Sequence, residues 1–78
     1  MPSASPQPDW VLAERLAMGA RIRAAREHAN LTQEAVANGA STDRPSVVRI
    51  EAGQQSPTSD TLFRIARVIG VSVAEFFR

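Results

Sequence analysis

The chain has no cysteine in its 78 residues, which excludes disulfides and thiolate metal sites and is compatible with a reducing cytosol. It has one histidine, His28, so no zinc-ligand spacing can be assembled. His28 reads as a solvated residue at a helix end, where a protonated imidazole is weakly favourable. No apolar run approaches the roughly 20 residues of a membrane span. The opening MPSASPQPDW lacks the basic and apolar regions of a signal peptide. The serines have no credible base beside them and the carboxylates are scattered, so no catalytic site, metal, cofactor or small-molecule ligand is expected. Lysine is missing as well. All nine basic residues are arginine, which favours two-pronged contacts to phosphate, guanine or carboxylate, although a GC-rich genome produces the same bias. A net charge of only +1 does not by itself announce nucleic acid.

What is present is a compact, helix-forming chain. Apolar residues make up 44%, enough for a folded domain rather than a disordered one. A domain this short buries only roughly 60% of the surface of its unfolded chain, so it must be well packed. Residues 1–8, rich in Pro, Ser and Gln, read as a flexible tail, and residues 9–78 as one domain. Asp9 is placed to cap a first helix beginning near Trp10 and running to Ala29, with Val11, Met18, Ile22, Ala25 and Ala29 on one face. Trp10, Leu12 and Leu16 either cover the domain or meet a second subunit. Gly19 marks a bend or a close contact between helices.

Asn30 tolerates the left-handed backbone that ends a helix. Thr32 caps a short second helix, Glu34 suits its first turn, Ala35 and Val36 face inward, and Asn38-Gly39 ends it. Asp43 caps a third helix, and Pro45 fits only in a first turn, where a missing N–H costs little. At 100° per residue, Arg44, Pro45, Val48 and Arg49 share one arc of about 140°, while Val47 and Ile50 point to the core. Gly53 stops this helix. Thr58 or Ser59 caps a fourth, with a stripe of Leu62, Ile65, Ala66 and Ile69. Ser72 and Glu75 have capping-box spacing and open a fifth, carrying Phe76 and Phe77. The expectation is therefore all-α: a compact five-helix bundle without a sheet. Its organising stretch is the pair of short helices from Leu31 to Gly53. A polar, arginine-bearing face on the second helix of such a pair is what major-groove reading needs. The plainer alternative is a solvated face with two ordinary arginines.

Three segments, MGARIRAAREHANLTQEAVA, SVVRIEAG and SPTSDTLFRIARVIGVSVAEFF, resemble in order and distance the Cro and phage-repressor type helix-turn-helix domain of the xenobiotic-response-element family. The resemblance covers about Met18 to Phe77. It implies sequence-specific binding of double-stranded DNA, usually by a homodimer on a palindromic operator, in a cytoplasmic, nucleoid-associated regulator. A repressor is the leading reading. Its implied base-reading residues are Asp43, Arg44, Pro45, Val48 and Arg49, with capping favoured over base contact for Asp43. Its implied phosphate contacts are Thr32, Gln33, Gln54, Gln55 and Ser56. Arg26 and Glu51 match a charged pair linking the first helix to the end of the third. The family's turn usually has glycine where this chain has Ser41. Val68, Val71 and Phe77 are candidates for a self-association surface, or for core packing. An alternative carried by the same resemblance is an antitoxin-like module that binds a toxin partner and autoregulates its operon. The chain's size resembles that of controller proteins of restriction-modification systems, and equally a fragment of a longer regulator.

Overall fold

The computed structural model describes residues 8–78; the tail read over residues 1–8 lies, except for Pro8, outside the described residues. Four α-helices follow in order: α1 (Asp9–His28), α2 (Gln33–Gly39), α3 (Arg44–Glu51) and α4 (Ser59–Ile69). A 3-10 turn over Val73–Phe77 closes the chain, and no strand occurs among the described residues.

The expected fifth helix is thus a 3-10 turn and not an α-helix. The reason lies in its cap. Ser72 Oγ accepts from the backbone N–H of Ala74, two residues on, at 3.2 Å, and Glu75 N–H bonds to Ser72 O at 3.0 Å in the tighter i to i+3 pattern. The Glu75 carboxylate pairs with Arg78, and no reciprocal capping-box bond reaches back to Ser72. The tight winding sends Phe76 inward, fully buried, and leaves Phe77 60% exposed.

Helix α1 also starts differently. Asp9 is inside its first turn and makes no capping bond; Pro8 occupies the cap position, and its carbonyl accepts from Val11 and Leu12. Proline already holds the extended backbone a cap requires. The aspartate still sits where a negative charge complements the helix dipole.

The caps of α2 and α3 are those read from the sequence, and of the two candidates for α4 it is Thr58 that caps, with Ser59 inside the helix. Thr32 Oγ1 accepts from Ala35 N at 3.0 Å, Asp43 Oδ1 from Ser46 N at 2.7 Å, and Thr58 Oγ1 from Thr61 N at 3.2 Å. Helix ends are closed by residues in the left-handed region: Asn30 after α1, Ser41 after α2, Gly53 after α3 and Gly70 after α4. After α2 the bonds Ser41 N–Asn38 O and Thr42 N–Ala37 O form the paired closure of a Schellman end. Gly39 lies within α2, so the left-handed residue is Ser41, two positions later than the Asn38-Gly39 stop expected.

The core is a single cluster. Ile22 of α1, Val36 of α2, Val47 and Ile50 of α3, Ile65 of α4 and Phe76 are essentially inaccessible. Within α2 the buried pair is Val36 and Ala37, with Ala35 only half-buried, which shifts the inward face by about one residue from the expectation. Helix α3 packs against both α1 and α2, α2 also rests on α4, and the 3-10 turn seals α1 to α4. Among the described residues no helix is long and apolar enough to cross a membrane.

Candidate nucleic-acid interface

Helix α3 has two faces of different character. Val47, Ile50 and Glu51 are buried, whereas Arg44, Pro45, Val48 and Arg49 are exposed together on the outward side. That division follows from the sequence spacing alone. Pro45 occupies the first turn, where no intrahelical N–H bond is lost. Asp43 caps the helix, as favoured over base contact. Hydrogen bonds from Ser46, through its hydroxyl and then its backbone N–H, hold the Asp43 carboxyl below the usual carboxylate range.

A buried polar network fixes the angle at which α3 stands. Arg26 Nε donates to Glu51 Oε2 at 2.6 Å and Arg26 Nη2 to Glu51 Oε1 at 3.0 Å, with the two side chains only 10% and 4% exposed. The same guanidinium donates through Nη1 to the carbonyl of Leu31 at 2.9 Å. The hydrogen bond to Glu51 raises the Arg26 pKa further above its ordinary value, outweighing the opposing effect of burial. Gln33 Nε2 also donates to Glu51 Oε1, at 3.1 Å. One carboxylate therefore ties together α1, the start of α2 and the end of α3. The Arg26–Glu51 pair was legible from the resemblance; the Gln33 bond to it was not.

Two further anchors hold α3 to α1, and the first of them escaped sequence reading. Arg15 Nε donates to the Gly53 carbonyl at 3.0 Å, clamping the C-terminal end of α3 to α1 across 38 positions of sequence. No local pattern signals a bond at that separation. Gly19 lies directly against α3: a Cβ there would come within 2.6 Å of the Glu51 carbonyl oxygen and closer still to that of Ile50. Of the two readings of Gly19, the close helix contact is the one realised.

In the loop after α3, Gln54 and Ser56 are exposed and Gln55 is half-buried, accepting from Arg49 Nε at 3.0 Å. Thr32 is exposed at the start of α2, and Gln33 is half-buried. Thr32, Gln33 and Glu34 line a polar depression of about 420 Å³ with Arg23, Arg26 and Arg44. Arg23, absent from the sequence-based assignment, pairs with Glu27 at 3.2 Å on the rim of α1. The candidate self-association residues separate. Val68 and Val71 are half-buried against the core, and only Phe77 projects. Phe63, 56% exposed, is a further outward aromatic on α4 that the periodicity argument passed over because it lies beside the core stripe. Trp10 is 70% exposed and does not cover the domain, while Leu16 lies against Gly53.

The fold recurs in known proteins. The helix-turn-helix family model matches residues 22–76. The chain is 38% identical over 55 residues to the cryptic phage CTXphi transcriptional repressor RstR of Vibrio cholerae, covering 70% of this chain and 50% of that protein. It therefore spans half the length of that repressor. It is 32% identical over 60 residues to an HTH-type transcriptional regulator of Archaeoglobus fulgidus, covering 77% of this chain and 84% of that one. Among solved structures it is similar to the restriction-modification controller protein C.AhdI of Aeromonas hydrophila, with a TM-score of 0.82 at 27% identity over 85% of this chain and 96% of that one. With two capped helices joined at Ser41, the second of them exposing an arginine-bearing face, the chain belongs to the helix-turn-helix family of the Cro type.

Proposed function

We infer that this chain is a sequence-specific transcription regulator, a repressor, that binds a pseudopalindromic operator as a homodimer with α3 in the major groove. The observation that carries the reading is the exposed set Arg44, Pro45, Val48 and Arg49 on a helix whose other face is locked to α1 and α2. Arg44 and Arg49 each present a fork suited to guanine O6 and N7 or to phosphate. Val48 and the Pro45 ring offer apolar surface to a thymine methyl. Asp43 shapes the start of the helix as its cap and is not counted among the base contacts. Thr32 and Gln33 face the sugar–phosphate backbone on one side of the groove, with Gln54, Gln55 and Ser56 on the other. The work is binding, without a catalytic step, in the cytoplasm at the nucleoid.

A dimer places two copies of α3 one helical turn apart, roughly 34 Å, on successive major grooves. Phe77 and Phe63 are outward aromatics suited to a subunit contact, while Val68 and Val71 are half-buried against the core. The relatives support regulation: one is named a phage repressor, and a structural neighbour is a restriction-modification controller.

The test is selection of bound sites from a random DNA pool at fixed salt. The expected result is a palindromic enriched site whose half-sites are spaced by one turn. Enrichment of no sequence over the starting pool would overturn the reading.

A further inference from the structure

We propose that Gln55 is a positioning residue that sets which base pair Arg49 reads. The inference rests on the proposed operator reading and goes beyond it by adding control of specificity to the backbone contact at Gln55.

Arginine Nε–H can only donate, so the atom of Gln55 that meets it at 3.0 Å must be the carbonyl oxygen. That bond engages one edge of the guanidinium. Arg49 makes no other side-chain hydrogen bond among the described residues, so both Nη groups keep the end-on pair of donors that matches guanine O6 and N7. An unsupported arginine on an exposed helix samples many rotamers and grips phosphate as readily as a base. Held at Nε, its fork is aimed before DNA arrives.

The support is itself anchored. Gln54 N–H bonds to Arg49 O at 2.8 Å, and Gly53 N–H to Ile50 O at 3.1 Å, so the backbone entering the loop is fixed to α3. Arg15 holds the Gly53 carbonyl at 3.0 Å from the other side. Gln55, half-buried two residues beyond, thus stands on backbone secured by α1 and α3. With its oxygen turned to Arg49, its amide hydrogens remain available to a phosphate. One side chain then registers the backbone and aims the reading arginine together.

The experiment measures relative affinities for all four base pairs at each position of the selected site, for the wild type, Arg49→Ala, Gln55→Ala and Gln55→Glu. Circular dichroism verifies the fold of each. Arg49→Ala identifies the pair Arg49 reads by loss of preference there. Gln55→Ala is expected to cut the preference at that same pair by about tenfold. Gln55→Glu keeps the acceptor for Arg49 but repels phosphate, so it is expected to retain that preference while binding every sequence more weakly. If Gln55→Ala keeps the full preference at the Arg49 pair, the proposal is overturned while the operator reading stands. A preference unaffected by Arg49→Ala overturns it too, because there is then no reading arginine to position. Failure of the wild type to select any site overturns the operator reading and this proposal with it.

Discussion

Arg26 closes on both carboxylate oxygens of Glu51, at 2.6 and 3.0 Å, and so fastens the last turn of α1 to the last residue of α3. Both partners are buried. Removing either one strands the other charge away from water, which costs roughly 3–5 kcal/mol, a large share of what so small a domain has. Arg26→Ala and Glu51→Ala are each expected to lower the denaturant midpoint sharply. The double variant Arg26→Met/Glu51→Leu is expected to recover much of that stability, because an apolar pair carries no desolvation penalty. Its operator affinity is expected to stay reduced, since Gln33 loses its acceptor and α3 its orientation. Urea melts and gel-shift titrations of the three variants check both halves.

At Gly19, α1 lies directly against the backbone of α3. In an exposed helix interior, replacing glycine with alanine stabilises by about 1 kcal/mol. Here the added methyl meets the backbone carbonyls of Ile50 and Glu51, which cannot rotate out of the way as a side chain can. Gly19→Ala is therefore expected to destabilise, by about 1–3 kcal/mol as in other overpacked sites. Thermal unfolding measures the sign; a stabilised variant would contradict the close approach.

Ser41 holds a φ of 56° with no side-chain bond to compensate it. Ser41→Gly removes the left-handed strain of about 1–2 kcal/mol, less the greater freedom glycine has in the unfolded chain. The net expectation is a gain of about 0.5–1 kcal/mol, or a melting temperature several degrees higher. Operator affinity should be unchanged, because Ser41 is in the turn and off the outward face of α3. An unchanged or lower melting temperature counts against strain at this position.

Asp43 carries a pH dependence of defined sign. Its carboxyl is held below the usual range by Ser46, so its contribution to stability is complete above the unfolded-state value of about 3.9. That contribution is lost as the pH falls through the lower, folded-state value. Asp43→Ala is expected to be less stable than the wild type at neutral pH, with the gap closing as the pH drops below about 4. Denaturant melts at pH 7 and pH 3 give the two differences. A gap of equal size at both would show that the charge on Asp43 adds nothing to the cap.

The helices, their caps and the two faces of α3 were legible in the sequence because each depends on residues within about one turn of one another. Thr32, Asp43 and Thr58 cap by reaching three residues ahead. Val47 and Ile50 fall inward, and Arg44, Val48 and Arg49 outward, by the 3.6-residue period alone. The same rules slipped where two local solutions compete. Pro8 displaced Asp9 at the first cap, and the short Val73–Phe77 segment wound as 3-10 once Glu75 turned to Arg78.

The sequence by itself therefore determined that there would be a helix pair, where the second helix begins and ends, and which side chains it shows to solvent. Only the tertiary structure decided how that helix is held: Arg15 on Gly53, Gln33 on Glu51, Gly19 beneath the Ile50 and Glu51 carbonyls. The physical reason is range. Helix propensity and capping act between near neighbours, whereas those anchors join residues 18 to 38 positions apart. They exist only once packing of the shared core has set the distance and angle between helices.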